Sequence, residues 1–253
     1  MLKALLWDVD GTLAETERDG HRVAFNLAFS ELGLGWGWTE GRYGELLEVT
    51  GGRERLLADM ATRDDAPPAG PARDALAMRL HTLKNRWYAW LVKQGRIEAR
   101  PGVLGLVREA ASAGLRQAIV TTTSRSNVEA LLPRLLGPGW SGYFSAVVCG
   151  EDVARKKPDP EAYDRALARL GLAPAEALAI EDSGPGARAA QAAAVPVLLR
   201  PSVYFPPAPW PPGWRGWISA PEAALRLEDV RTRHARCVAV EAPLGAEPAQ
   251  RGV

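Results

Sequence analysis

The sequence predicts an α/β protein whose core is a Rossmann-like, doubly wound parallel sheet with a small all-helical cap domain inserted into it. Two observations lead to this fold class. Short, continuously apolar runs, typical of strands buried on both faces, alternate with segments that have helix start signals and helical periodicity. One long stretch near the N-terminus breaks the alternation, because it contains helical patterns and no convincing strand.

The first predicted strand covers residues 4–7 and runs directly into Asp8-Val9-Asp10-Gly11-Thr12. A buried apolar run that ends in such a turn is typical of a central strand in a parallel sheet. The other predicted strands are residues 117–121, 145–149, 177–181 and 195–199. Starts at Pro101, at Ser124 and at Asp159-Pro160, and an Ala-rich run, predict the connecting helices over residues 102–113, 125–136, 161–170 and 186–194.

The helical interruption divides the chain into a core, residues 1–16 and 95–235, and a cap, residues 17–94. Helical patterns inside the cap cover residues 17–32, 40–49, 53–62 and 74–93. Residues 201–217 are rich in proline and tryptophan and are predicted to be irregular, because proline cannot donate to a strand ladder. The last residues, 241–253, have the composition of a tail and are expected to be disordered.

Composition and charge limit the classes of partner. The 253 residues include 31 Lys and Arg and 30 Asp and Glu, a net charge of +1, which disfavours nucleic acid and acidic membrane surfaces as partners. Cys149 and Cys237 are too far apart for a disulfide framework or a zinc pair. No segment resembles a membrane span or a signal peptide. We therefore expect a cytoplasmic protein with a small-molecule partner, and a monomer is the favoured state.

Paired carboxylates follow two of the predicted strands. Asp8 and Asp10 follow the first strand, and Glu181 and Asp182 follow the fourth. Because the carboxyl ends of parallel strands meet at one edge of the sheet, we expect one acidic site. Crowded carboxylates need a cation, and their oxygens suit Mg²⁺, which is the predicted cofactor. Taken alone, the first pair also fits an Asx-type turn, and Asp182 also fits a helix cap.

Hydroxyl and amine groups follow the second and third strands. The run Thr121, Thr122, Thr123 stands before a helix N-terminus, where hydroxyls and free N–H groups bind phosphate oxygens, although such a run is also ordinary strand and cap chemistry. Lys157 is placed to neutralise phosphoryl charge, whereas a solvated lysine pair is the alternative. These groups favour phosphate chemistry at the acidic site.

One motif is misleading. The run Gly184-Pro185-Gly186-Ala187-Arg188-Ala189 matches the dinucleotide fingerprint in form, but Pro185 lacks the backbone N–H, and no acidic residue follows about 20 positions later. Nicotinamide binding is therefore rejected.

Taken in order, the motifs resemble the haloacid dehalogenase superfamily of aspartate-nucleophile phosphatases. They are DVDGT at 8–12, the Thr run at 121–123, KKP at 156–158 and ED at 181–182. The chain is further similar to the CbbY branch in DVDGTLAETE at 8–17, TGGRER at 50–55, RPGV at 100–103 and KKPDP at 156–160. This likeness covers residues 2–200. It implies hydrolysis of xylulose 1,5-bisphosphate, an inhibitor of Rubisco, to xylulose 5-phosphate.

On this resemblance, Asp8 is expected to be the nucleophile that forms an aspartyl-phosphate, and Asp10 the general acid and base. Mg²⁺ is expected to bind the Asp8 side chain, the Asp10 carbonyl and Asp182, with Glu181 nearby. Thr122, Thr123 and Lys157 are expected to bind the transferring phosphoryl oxygens. Thr121 remains an alternative, because the triple threonine leaves the register open by one residue.

The cap is expected to supply specificity. In Thr50-Gly51-Gly52-Arg53-Glu54-Arg55, flexible glycines accompany two guanidinium groups, which suits a second, non-reacting phosphate on Gly51, Gly52, Arg53 and Arg55. For each arginine a surface position at a helix start is an equal alternative. Glu17, His21 and Tyr43 are candidates for sugar hydroxyls, with helix-surface positions as the alternative.

Other activities remain open from sequence. A sugar phosphomutase of the β-phosphoglucomutase type would use the same nucleophile and acid–base group, and would return the phosphoryl group to the sugar. A phosphatase for another phosphosugar or for phosphoglycolate would also fit. A non-enzymatic phosphosugar-binding regulator is disfavoured, because all the reactive positions are filled.

Overall fold

A six-stranded parallel sheet forms the centre of the computed structural model, which describes residues 1–205 and 213–239. The strand order is β3-β2-β1-β4-β5-β6. The strands are β1 Ala4–Trp7, β2 Arg116–Val120, β3 Ala146–Val148, β4 Ala177–Glu181, β5 Val197–Leu199 and β6 Gly216–Ile218. The predicted doubly wound fold is confirmed.

Strand β1 is central and buried on both faces, as its apolar sequence predicts. Trp7 pairs in parallel register with Ile119 of β2 and Ile180 of β4. Successive side chains alternate between the faces of the sheet, so Leu5 and Trp7 pack in one apolar cluster and Leu6 packs in the other. This arrangement fixes the end of β1 in the middle of the sheet edge.

Helices cover both faces of the sheet. On one face lie α5 Val103–Ser112, α6 Arg125–Leu136 and α9 Leu227–Ala239, and on the other lie α7 Glu161–Leu170 and α8 Gly184–Ala192. Helix α9 is absent from the sequence prediction, because its apolar stripe is narrow. Only Leu227, Val230 and His234 are buried in an otherwise polar helix.

The cap is all-helical, as predicted. It begins with a π-helical turn, Glu17–His21, and continues with α1 Arg22–Glu31, α2 Glu40–Leu46, α3 Gly52–Met60 and α4 Pro71–Lys93. The cap has its own aromatic core, in which Phe25, Phe29 and Trp38 pack together. Its entry and exit run side by side, since Ala14 and Ala99 form an antiparallel bridge and Arg100 N–H donates to the Leu13 carbonyl at 2.9 Å.

The segment predicted to be irregular, residues 201–217, differs at its end. Gly216 and Trp217 belong to β6, which adds a sixth strand by parallel pairing with β5. The reason is that prolines exclude ladder pairing only where they occur, and β6 follows the last of them. Residues 206–212 and the tail, 241–253, lie outside the described residues. Within the two described ranges, no helix has both the length and the apolar character needed to cross a bilayer.

Candidate active site

The candidate site lies at the carboxyl ends of β1, β2 and β4. The strand order reverses around β1, which is the position where ligands bind in open α/β sheets. Asp8 directly follows β1, and its backbone N–H donates to the Ile180 carbonyl at 3.0 Å, so the strand ladder holds it. A cavity of about 50 Å³ brings together Asp8, Asp10, Thr121, Thr122, Lys157 and Asp182 from the core with Glu17, Leu47, Thr50 and Arg55 from the cap.

Lys157 connects the two predicted carboxylate pairs. Its Nζ donates to Asp8 Oδ1 at 2.8 Å, to Glu181 Oε1 at 2.6 Å and to the Val120 carbonyl at 2.8 Å. Burial acts to lower the pKa of Lys157, but the charges of Asp8 and Glu181 outweigh it and raise the pKa. Lys157 is therefore a buried, charged ammonium beside the expected nucleophile.

Glu181 is fully buried and holds Lys157. Its Oε1 accepts from Lys157 and from the hydroxyl of Tyr163. Helix α8 passes close to the other oxygen, since a Cβ built on Gly186 would lie 1.9 Å from Glu181 Oε2. Glycine at this position therefore has a packing role, and it accounts for part of the misleading fingerprint.

Three carboxylates form the acidic centre. The ligand oxygens of Asp8, Glu181 and Asp182 lie within 4.8 Å of one another. Burial raises the pKa of Asp8 to about 8 despite the Lys157 charge, and burial together with the Asp8 and Glu181 charges raises the pKa of Asp182 well above its usual range.

This donor set fits Mg²⁺. Oxygen ligands suit the ion, and a second cation beside Lys157 would stabilise the ionised carboxylates. Residue 11 has to be glycine for two reasons. Its φ of +78° is disfavoured for other residues, and a Cβ at this position would lie 2.1 Å from Asp182 Oδ2, so its absence leaves room for the carboxylate.

Asp10 lies in a different environment from Asp8. Thr16 Oγ1 donates to Asp10 Oδ1 at 2.6 Å, and His21 Nε2 lies 2.9 Å from the same oxygen. Although burial acts to raise it, the pKa of Asp10 lies far below its usual range, because His21 and Thr16 stabilise the carboxylate. The two aspartates therefore lie in different environments: Thr16 and His21 hold Asp10 as a carboxylate, whereas burial raises the pKa of Asp8, a shift that a cation bound at the acidic centre would oppose.

The three threonines have distinct positions. Thr121 Oγ1 accepts from the backbone N–H of Thr123 at 3.2 Å, and Thr123 Oγ1 accepts from Asn127 Nδ2 at 3.0 Å. Thr122 lines the cavity that contains Asp8 and Lys157, and it also lines a second, adjacent cavity. This position favours Thr122 as the phosphoryl contact.

An adjacent cavity of about 30 Å³ extends the site into the cap. Asp10, Glu17, Arg55 and Thr122 line both cavities, and the second adds His21, Gly51, Gly52, Lys84 and Thr123. The two cavities adjoin, since four residues line both, and we call them together the cleft.

Tyr43 links two of the cap residues. Its hydroxyl donates to Glu17 and accepts from Arg55 Nη1, which lies 2.9 Å away. Glu17, His21, Tyr43 and Arg55 are thus buried or half-buried residues around the cleft, in contrast to the helix-surface alternative.

Arg53 lies apart from the other predicted site residues. Its side chain is 42% exposed and lies 3.9 Å from Asp74, outside the residues that line the cleft. Residues two apart on a helix point in directions that differ by about 200°, so Arg55 and Arg53 cannot both face the cleft.

Sequence reasoning missed Thr16, Tyr163 and Lys84. A pattern could have found Lys84, because it lies between Leu80 and Tyr88 on the buried stripe of α4, where a lysine is unexpected. Burial lowers the pKa of Lys84 to about 8, although the charges of Asp10 and Glu17 oppose this.

The fold and this site define a class of protein. An aspartate directly follows the central strand, a second aspartate stands two residues later, and the all-helical cap contributes residues to the same cleft. A profile of the haloacid dehalogenase-like hydrolases matches residues 2–194. The chain belongs to this family and is a phosphatase.

Within the family, the chain is similar to the CbbY proteins. It is 44% identical to the plasmid protein CbbY of Cupriavidus necator over 203 residues, 80% of each chain. The crystal structure of CbbY from Rhodobacter sphaeroides in complex with phosphate is 39% identical, with a TM-score of 0.79 over 87% of this chain and 94% of that one. A mutant of that protein in complex with xylulose 1,5-bisphosphate is 40% identical, with a TM-score of 0.76 over 81% and 89%.

Proposed function

We propose that this phosphatase hydrolyses a pentulose 1,5-bisphosphate, with xylulose 1,5-bisphosphate as the substrate and xylulose 5-phosphate and inorganic phosphate as products. One observation carries the proposal: the cleft has cationic side chains in both of its parts. Lys157 lies beside Asp8, and Arg55 and Lys84 line the part that reaches into the cap. A substrate with a phosphate at each end matches this distribution of charge. The complex of the Rhodobacter sphaeroides relative supports the same substrate.

In the first half-reaction, Asp8 attacks phosphorus in line and forms an aspartyl-phosphate. Lys157 neutralises charge on the nucleophile and on the phosphoryl oxygens, and Thr122 donates a hydrogen bond to them. Asp10 takes up a proton when the anionic substrate binds beside it, because the nearby phosphate charge disfavours a second anion, and then donates that proton to the departing sugar oxygen, so the sugar leaves as an alcohol.

In the second half-reaction, Asp10 is a carboxylate and takes a proton from water, which attacks phosphorus and releases Asp8. Thr16 and His21 hold Asp10 in the ionised form that this step needs. When bound by Asp8, Asp182 and the Asp10 carbonyl, with Glu181 behind, Mg²⁺ supplies positive charge that offsets repulsion between nucleophile and phosphate.

The test is a substrate panel assayed with Mg²⁺ in the cytoplasmic pH range. We expect kcat/KM for xylulose 1,5-bisphosphate to exceed that for pentulose monophosphates and phosphoglycolate, and chelation of divalent cations to stop phosphate release. Preference for a monophosphate would overturn the role of the cap cations.

The products separate this activity from the mutase alternative. Hydrolysis releases one phosphate per bisphosphate consumed and leaves the monophosphate without isomerisation. An isomerised sugar phosphate without free phosphate would contradict the proposal.

A further inference from the structure

A short segment after β5 contacts both halves of the site. We call residues 202–205 the strap. On the core side, buried Arg100 anchors its start, since Nη1 donates to the Arg200 carbonyl at 2.7 Å and Nη2 to the Pro201 carbonyl at 2.8 Å. Ser202 is buried near Asp182, since burial raises the pKa of this carboxyl and Ser202 acts to lower it. The strap is therefore fixed to the core beside the acidic centre.

On the cap side, the strap packs against Tyr43. The Tyr204 ring meets the Tyr43 ring edge-on, with 5.8 Å between centroids and an interplanar angle of 68°. The fit is close at the neighbouring residue, because a Cβ on Gly44 would lie 3.1 Å from Tyr204 Cδ1. Tyr43 is the residue whose hydroxyl joins Glu17 and Arg55 in the cleft. Tyr204 thus supports, from the core, a specificity group of the cap.

Phe205 reaches the cleft itself. It packs against the apolar cluster of the cap and lines the cavity that contains Asp8 and Lys157. With Leu47 and Pro185, it forms the apolar part of a lining that is otherwise mostly polar. An apolar wall of this kind excludes water and limits the shapes that fit beside the reacting phosphate.

We propose that the strap determines substrate specificity, with Phe205 as a wall of the cleft and Tyr204 as a positioning residue for Tyr43. The inference rests on the proposed function, since it concerns a sugar phosphate that spans core and cap. Strap contacts join core to cap, so they hold together the two parts of the cleft in which the ends of such a substrate would bind. A small phosphate ester that contacts only the core gains little from them.

The experiment compares xylulose 1,5-bisphosphate with p-nitrophenyl phosphate in five variants. For Phe205→Ala and Tyr204→Ala we expect KM for the bisphosphate to rise about tenfold, as for other lost apolar contacts in a specificity pocket. We expect kcat/KM for p-nitrophenyl phosphate to fall much less. Tyr204→Phe should keep KM close to the wild-type value, unlike Tyr204→Ala, because the Tyr204 hydroxyl has no hydrogen-bond partner among the described residues. Val203→Ala is the matched control, since Val203 is in the strap and 59% exposed.

Equal losses for both substrates, or a Val203→Ala effect as large as that of Phe205→Ala, would overturn the inference in favour of a merely structural strap. Phe205→Leu, which keeps an apolar wall, guards against a folding defect and should lie between wild type and Phe205→Ala. If wild type did not hydrolyse the bisphosphate, the proposed function would fail. The strap would then be judged on the best sugar phosphate of the panel, with the same contrast to p-nitrophenyl phosphate required.

Discussion

The core and cap halves of the site are built differently. In the core, Asp8, Lys157 and Glu181 are almost fully buried; Lys157 pairs with both carboxylates, which stand at the ends of β1 and β4. In the cap, the groups that face the cleft come from separate helical segments and depend on side-chain packing, as Tyr43 depends on Tyr204. On the proposed function, the sheet holds the residues of the reaction, and the packing of helices holds the residues that select the substrate. Substitutions in the core should therefore abolish turnover, and substitutions in the cap should change KM.

The largest expected effect is at the nucleophile. Asp8→Asn should lower kcat by about 10⁴-fold or more, because the amide cannot attack phosphorus. Phosphate release under saturating substrate measures the loss, and circular dichroism checks the fold. Unchanged release would refute the proposed mechanism.

Lys157 provides the second test of the core, with its sequence neighbour as control. Lys157→Ala should lower kcat by about 10²- to 10³-fold, because the variant loses the charge beside the phosphoryl group. Lys156 pairs instead with Glu54 of the cap at 2.7 Å and is partly exposed. Lys156→Ala should cost less than about fivefold, as for other surface ion pairs. Similar losses of kcat for the two variants would show that Lys157 contributes no more to the reaction than Lys156.

In the cap, Arg55 and Arg53 form a matched pair. Arg55→Ala should raise KM for the bisphosphate by about 10- to 100-fold through loss of a charged hydrogen bond, with a smaller change in kcat. Arg53→Ala should leave KM within about twofold, as expected for an exposed side chain. Steady-state kinetics decide, and a loss confined to kcat in Arg55→Ala would place this arginine with the core chemistry instead.

The smallest effects concern stability. Gly186→Ala places a Cβ against Glu181 and should destabilise the protein by about 1–3 kcal/mol, as overpacking does. Gly105→Ala, in α5 with nothing within 4 Å, should stabilise it by about 0.5–1 kcal/mol. Urea unfolding measures both, and a neutral Gly186→Ala would mean that the helix start next to Glu181 can move.

The core half of the site follows from short stretches of sequence. Asp8 and Asp182 each stand directly after an apolar strand, and Lys157 lies in the loop that follows β3; the carboxyl ends of parallel strands meet at one edge of the sheet. The fold class could be predicted for the same reason, because apolar runs and helix starts are local patterns.

The cap half of the site, Phe205 and strand β6 depend on contacts between residues that are far apart in the sequence. The choice of Arg55 over Arg53 is set by the rotation of α3 about its axis, which the motif does not contain. Phe205 lines the cleft from a segment whose preceding carbonyls accept hydrogen bonds from Arg100, a residue about 100 positions away in the chain. Strand β6 has three residues beyond a proline-rich run, and its pairing depends on the edge that β5 offers.

The bridge between Ala14 and Ala99 has a further consequence. Because the cap leaves and rejoins the core at one point, residues 17–94 can be exchanged for another helical insert without rerouting any strand of the sheet. An exchange of the cap, in evolution or by design, can therefore change the preferred phosphate ester while Asp8, Asp10 and Lys157 of the core keep their positions. The strap limits this freedom, since any new cap must still accommodate Tyr204 and Phe205.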